Sequence, residues 1–430
     1  MSGPVDVRAA ALEVAAAGCC RHPVRLGATT LDGATGELAE RTVLVACKDR
    51  RAVLCPACAA TYQADAWQLV ASGLRGGKGV PETVAGHPAC FVTLTAPSFG
   101  PVHRAGGTCH PRRARARCPH GVVLDCRERH AHDDPLVGRP LCPACFAYDE
   151  AVLWNARVTV LWQRTSTLLA REVARAGGGG AKSFRISYIK VVEFQRRGLV
   201  HLHVLLRADG PEGPSVPPPD WLTAELLAAG VERAVGRVVV PGIAGLAADA
   251  GWGTERTVRV LTITEAGGDA EAVAAYLAKY ATKTATEDPS LTRSLDRRRP
   301  PVLAGADPHL AALATAAWEL GRRPELAHLR LAAHAHTFGY RGHFATKSRA
   351  YSTTFGALRA ARAAHVREEG EGRLEPLEGT WRYAGRGYGS PAAERLAEVL
   401  AEGIAGRPRR PPGTSPDSPP RVPRRPEQGR

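Results

Sequence analysis

The stretch V-V-E-F-Q-R-R-G-L-V-H-L-H-V-L-L-R, residues 191–207, decides how this chain is read. Two β-branched and apolar runs flank Q-R-R-G, which spells two strands joined by a tight turn. Strand alternation puts His201 and His203 on one face and Val200, Leu202 and Val204 on the other. A three-residue loop, Arg196-Arg197-Gly198, with glycine in the left-handed position, would pair Gln195 with Leu199. Glu193 would then oppose His201, and Val191 would oppose His203, and directly opposed residues share a face. Two imidazoles and a carboxylate on one patch of sheet suit Mn2+ or a Mg2+ that keeps waters, as well as zinc or iron. His130/His132 and His334/His336 repeat the H-x-H spacing outside any alternating apolar strand. The register-matched Glu193 sets the 201/203 pair apart from them.

The whole chain of 430 residues is 44% hydrophobic, and Lys+Arg exceed Asp+Glu by 57 to 42, a net charge of +15. That balance favours a polyanionic partner, nucleic acid first. No apolar run is long enough to span a membrane, and the N-terminus lacks the basic-led apolar stretch of a signal peptide, so a cytoplasmic location is expected. In a reducing compartment the eleven cysteines are metal ligands rather than disulfides. Cys118-x7-Cys126-x15-Cys142-x2-Cys145 reads as one four-thiolate Zn2+ set. Cys47-x7-Cys55-x2-Cys58, with Cys20 or Cys19, repeats its spacings, so one or two structural zinc ions are expected, with His22, His120, His130 and His132 as substitute ligands. Cys90 and Cys109 stand apart.

Further strands are expected at C-F-V-T-L-T-A-P (90–97) and R-T-V-R-V-L-T-I-T (256–264), and a long helix at 147–176 ending in four glycines. A-G-G-G-G-A-K-S (176–183) is not a phosphate-binding P-loop, because it runs from helix to strand and has Ala181 before Lys182. Residues 267–286 read as a helix in which Tyr276 and Tyr280 lie one turn apart, with Lys279 and Lys283 each three residues after a tyrosine. A tyrosine hydroxyl aided by a cation can form a covalent phosphodiester link to a nucleic-acid strand. The segments H-P-R-R-A-R-A-R-C (110–118) and 338–362 mix basic and aromatic residues, and Arg112, Arg113, Arg341, Lys347 and Arg349 are candidate DNA contacts.

F-V-T-L-T-A-P, V-V-E-F-Q-R-R-G-L-V-H-L-H-V-L-L-R and Y-L-A-K-Y-A-T-K, in that order, resemble the three motifs of HUH endonucleases, two-tyrosine branch. C-P-A-C-A-A-T-Y-Q-A-D-A-W-Q-L, L-C-P-A-C-F-A-Y-D-E-A-V-L-W-N and G-H-F-A-T-K-S-R-A-Y-S-T-T are similar to segments of replication initiators of actinobacterial plasmids and integrative elements. The resemblance implies that Glu193, His201 and His203 hold Mg2+ or Mn2+, that Tyr276 and Tyr280 are nucleophiles, and that Lys279 and Lys283 are phosphate-side cations. It implies nicking of a single-stranded or unwound origin to start rolling-circle replication, with host DNA polymerase and helicase as possible partners and no membrane. The expected fold is α+β: a central antiparallel sheet of the HUH type (a ferredoxin-like palm) with helices, the tyrosine helix against it, Cys-rich zinc-ribbon-like modules, and a helical C-terminal region. The expected organisation is a Cys-rich region at 1–85, a nuclease domain at 86–285 with a Cys-rich insertion at about 105–150, a basic, mainly helical region at 286–400, and a disordered Pro/Arg-rich tail at 406–430. A relaxase or transposase of the same chemistry, or a zinc-stabilised DNA-binding regulator without nuclease activity, are the alternatives.

Overall fold

The computed structural model describes residues 6–31, 38–111, 117–263, 268–286, 288–368, 375–376 and 381–406. Arg112, Arg113 and the Pro/Arg-rich tail from 407 onward lie outside the described residues. Along the first half of the chain run α1 (Val7–Ala16), β1 (Val24–Leu31), β2 (Leu38–Val45), α2 (Pro56–Arg75), β3 (Ala89–Leu94), α3 (Tyr148–Gly177), β4 (Arg185–Phe194) and β5 (Val200–Asp209). There follow α4 (Ala224–Arg237), β6 (Arg256–Val260), α5 (Gly268–Ala281), α6 (Pro308–Leu320) and β7 (Ala345–Lys347). Last come α7 (Phe355–Glu368), β8 (Glu375–Pro376), β9 (Arg382–Arg386) and α8 (Pro391–Gly406). The chain is α+β with antiparallel sheets.

Contacts divide it into two units. The first comprises Met1–Gly79, Thr262–Thr282 and Ser352–Arg430. In it β1 pairs antiparallel with β2, and β8 and β9 return from the far end of the chain to pair with β1. α5 belongs to this unit and packs on α2. Its Ala270, Val273, Ala274, Leu277, Ala278 and Ala281 are buried at helical spacing, which makes one apolar stripe. Arg75 pairs with Glu271 at 3.0 Å, and Arg50 Nη1 donates to the Ala281 carbonyl at 3.1 Å, fastening both ends of α5.

The second unit comprises Val80–Leu261 and Lys283–Tyr351 and holds a five-stranded antiparallel sheet in the order β6-β3-β5-β4-β7. One face is apolar: Cys90, Val92, Leu94, Val192, Phe194, Val200, Leu202, Val204 and Leu206 join a core with Val152, Leu153, Leu161 and Leu169 of α3 and Leu227 and Val231 of α4. α3 ends where the glycines begin, Gly178 capping it at φ 70°, and β4 follows, so this glycine run serves as a helix stop.

The opposite face sets buried polar groups among Ile189, Val191 and Leu205. Towards its Asp209 end, Asp209 accepts from Arg207 Nε at 2.7 Å and Nη2 at 2.9 Å and from Ser187 Oγ at 2.5 Å, and lies 2.9 Å from His87 Nδ1. Arg207 and Asp209 are both fully buried. Burial pushes the Asp209 carboxyl up, but the bonds to His87, Arg207 and Ser187 outweigh it and hold the group below the usual carboxylate range.

The region from 286 to 400, expected to be mainly helical, contributes strands as well: β7 forms an edge of the second unit's sheet on β4, and β8 and β9 join β1. Ala345-Thr346-Lys347 has no alternation to announce a strand; it becomes one because β4 offers it an open edge.

Asp209→Asn would leave the Arg207 guanidinium uncompensated in the interior, and a loss of about 3–5 kcal/mol is expected in urea denaturation at neutral pH. Because the folded-state pKa is depressed, the native carboxylate's contribution is full above the ordinary carboxylate range and is lost as pH falls through the folded value. The gap between native and variant should therefore narrow in acid.

Candidate active site and metal centres

The register is Glu193↔His201, Val191↔His203 and Phe194↔Val200, as the three-residue loop requires. Gln195 N donates to the Leu199 carbonyl at 2.9 Å, and Gly198 sits at φ 73°. Three groups secure this turn. Asn155 of α3, fully buried, donates to the carbonyls of Gly198 at 3.0 Å and Phe338 at 3.1 Å and accepts from Val200 N at 3.0 Å. Arg197 reaches the carbonyls of Ala96 at 2.8 Å and Pro97 at 2.9 Å, tying the end of the T-L-T-A-P segment to the hairpin. Arg196 donates to the carbonyls of Asp133 and Asp134.

The face this register creates carries Glu193, His201 and His203, with Thr93 of β3 opposite His203. His203 Nε2 lies 3.2 Å from Glu193 Oε2, and its Nδ1 lies 3.4 Å from Thr93 Oγ1. The His201 and His203 rings meet edge to face at 4.7 Å. Burial, with His203 alongside, lowers the His201 imidazole to about 4, so it is neutral at pH 7 and keeps a lone pair. Its Nδ1 is buried without a hydrogen-bond partner. Burial raises the Glu193 carboxyl, but hydrogen bonds from His203 and Lys283 and the Lys283 charge overcome this and keep it ionised. Lys283 Nζ lies 2.7 Å from Glu193 Oε1, bringing a positive charge to the carboxylate.

Two imidazoles, one of them with an unpartnered buried nitrogen, and one carboxylate are the kind of donor set that suits a divalent cation. The three are not among the described groups whose ligand atoms all lie within 4.8 Å of one another.

Three other groups are. Cys20, Cys47, Cys55 and Cys58 form the first: the three cysteines of the x7 and x2 spacing, with Cys20 rather than Cys19 as the fourth. Its sulfur contacts of 3.8 Å (Cys55–Cys20) and 3.7 Å (Cys47–Cys58) match the edge, about 3.8 Å, of a tetrahedron with Zn–S bonds of about 2.3 Å. The backbone N–H groups of Cys47 and Arg21 donate to Cys20 and Cys55 sulfurs at 3.2 and 3.4 Å, which favours thiolates. The second block divides differently from the four-thiolate reading. Cys118, Cys142 and Cys145 gather around His120, whose Nδ1 is 3.2 Å from Cys145 Sγ. Cys126 leaves that set and joins His103, Cys109 and His130. The reason is backbone pairing: His110 N donates to the Cys126 carbonyl at 2.6 Å and Cys126 N to the His110 carbonyl at 3.2 Å, which draws Cys126 beside Cys109. Cys126-x3-His130 and Cys118-x-His120 were the signals in the sequence; His103, Cys109, Asn155 and Arg197 had none that spacing reveals. All three clusters could hold metal ions and are consistent with zinc.

In the first unit the Tyr276 and Tyr280 rings stand 4.6 Å apart on α5, and Lys279 Nζ lies 5.8 Å over the Tyr280 ring. Tyr276 is 39% exposed, because the buried stripe of α5 faces away from it. Of the candidate DNA contacts, Arg341 donates to the His328 carbonyl at 2.8 Å, and Lys347 Nζ lies 3.3 Å from the carbonyls of Ser348 and Arg349. No described helix is long and apolar enough to cross a membrane.

Comparison with known proteins bears on what this set of sites belongs to. The RepSA family model, described as a replication initiator protein of pSAM2, matches residues 6–402. This chain belongs to that replication initiator family. A replication initiator protein of Streptomyces ambofaciens is 39% identical over 426 residues, covering 90% of this chain and 88% of that protein. The match spans the Cys-rich segments, the histidine hairpin and the tyrosine helix alike, so they are parts of one family architecture. No solved structure matches the chain.

Asn155→Ala would strand the Val200 N–H and the Gly198 carbonyl in the interior, each costing about 1–3 kcal/mol. Chemical denaturation should show a loss of that order or more. Amide exchange should rise first at 195–200.

Proposed function

We propose that this replication initiator is a metal-dependent nicking enzyme, a two-tyrosine HUH endonuclease that opens rolling-circle replication of a plasmid or integrative element. The observation that carries the reading is the hairpin register, which aligns Glu193, His201 and His203 on one buried polar face with a free imidazole nitrogen. The substrate is single-stranded or unwound origin DNA, and the net charge of +15 favours its approach. Mg2+ or Mn2+ bound by Glu193, His201 and His203 would offset charge developing on the scissile phosphate.

The chain's own residues do the rest. Thr93 orients His203 through Nδ1, and Nε2, which lies 3.2 Å from Glu193 Oε2, is the nitrogen that would turn to the ion beside that carboxylate. The depressed basicity of His201 keeps that imidazole a donor of electrons rather than a competing cation. The hydroxyl of Tyr276 or Tyr280 attacks phosphorus, forming an O–P bond as the bond to the 3′ oxygen breaks. The phenolic proton leaves to solvent, and the departing oxygen takes one up, giving a 5′-phosphotyrosine and a free 3′-hydroxyl. Lys279 and Lys283 serve as cations near the phosphate. The free 3′-hydroxyl is the end a host polymerase would extend, and a host helicase would open the duplex ahead of it. The second tyrosine can repeat the attack after one round of synthesis.

Incubation with a single-stranded origin oligonucleotide and Mn2+ should yield a covalent protein–DNA adduct resolved by denaturing electrophoresis. Tyr276→Phe/Tyr280→Phe should abolish it, and His203→Ala should reduce it by about 100-fold or more. Binding without an adduct under Mg2+, Mn2+ or Zn2+ would replace this reading with that of a DNA-binding regulator; adduct formation at a transfer origin or element end instead would identify a relaxase or transposase.

A further inference from the structure

The Cys126 cluster does more than the sequence assigned to it. We propose that His103, Cys109, Cys126 and His130 hold a structural Zn2+ that locks the turn between β4 and β5. This goes beyond the nicking reading and does not depend on it.

The donor geometry is that of a two-thiolate, two-imidazole site. Cys126 Sγ lies 3.3 Å from His130 Nε2, Cys109 Sγ lies 3.8 Å from His103 Nδ1, and the two imidazole nitrogens are 3.1 Å apart. With Zn–N near 2.0 Å and Zn–S near 2.3 Å, tetrahedral edges run from about 3.3 to 3.8 Å, and the side chains already stand close to them. Arg104 N donates to Cys109 Sγ at 3.4 Å. His130 Nδ1 lies 2.7 Å from Asp134 Oδ2, so the carboxylate fixes the ring with Nε2 as the donor atom, the usual outer-sphere partner of a zinc-bound histidine. Cys109 is fully buried and His130 is 7% exposed, while His103 and Cys126 are half-buried.

The route from this cluster to the turn is short. The backbone of His103 pairs with the segment after Asp134: His103 N donates to the Arg139 carbonyl, and Gly138 N to the His103 carbonyl, both at 2.8 Å. Gly138, at φ 91°, lies so close to Arg196 that a Cβ there would come within 2.6 Å of its backbone. Arg196 in turn grasps the carbonyls of Asp133 and Asp134. Residues 101–147 contain only isolated bridges and one short 3-10 turn among the described residues, so ligation would add a crosslink to a loop otherwise shaped by scattered hydrogen bonds. A metal that clamps His103 to His130 thus clamps the surface on which Arg196-Arg197-Gly198 rests.

The test uses the full chain, purified under reducing conditions, with zinc measured by elemental mass spectrometry. Three zinc ions per chain are expected, one for each cluster, and two in Cys109→Ser/Cys126→Ser. Unchanged zinc content in that variant, or a Cys109–Cys126 disulfide in the parent, would overturn the site. Asp134→Asn guards against misfolding: the amide oxygen can still cap Leu136 N, while the bond to His130 Nδ1–H is lost. One zinc in three should then pass to a chromophoric chelator at about 10- to 100-fold lower chelator concentration than in the parent. Unchanged chelator competition in this variant would also overturn the site. Amide exchange at Gln195–Gly198 should quicken once that ion is removed; unchanged exchange would overturn the locking role. None of these readouts depends on DNA cleavage.

Discussion

The hydrogen-bonded register of one hairpin governs the second unit. Because side chains alternate with a period of two, slipping β5 by one residue against β4 would bring His201 and His203 to the α3 side and send Val200 and Leu202 out of the core. The burial of an apolar face and the assembly of a polar one are therefore a single event. This explains why the turn is so heavily secured: Asn155 holds its carbonyl and amide from the helix side, Arg197 holds the end of β3, and Arg196 holds the Cys/His loop.

The polar face that results is unusual in being both buried and charged. At one end Asp209, Arg207, Ser187 and His87 satisfy one another, and the network is closed. At the other end the set remains open, since Glu193 and His203 pair but His201 Nδ1 does not. A buried nitrogen without a partner costs free energy that a fold retains when a ligand repays it.

The Cys/His clusters solve a different problem. The segments that carry them are rich in arginine, glycine and proline, and they contain few of the apolar residues that fill the sheet's core. Ligation can replace hydrophobic burial where there is too little apolar surface to order a loop. In the first unit the side chains of Cys20, Cys55 and Cys58 are themselves part of a small core with Val14, Ala393 and Ala397, joining N-terminal and C-terminal segments. That pairing of distant segments had no local signature.

Local patterning determined a good deal by itself. Alternation in residues 183–207, taken with a three-residue loop ending in glycine, placed Glu193 opposite His201, and the hydrogen-bonded register of the hairpin has that pairing. Spacing likewise gave three cysteines of the first cluster, Cys47, Cys55 and Cys58, and the family match bears out the resemblance to replication initiators. Tertiary structure alone decided the rest. It moved Cys126 away from Cys118, drew β7 to the edge of β4, returned β9 to β1, and set Lys283 against Glu193. Periodicity reports which face a residue takes on its own element. Which distant element meets that face depends on backbone hydrogen bonds and ligand geometry that close only when the chain has folded.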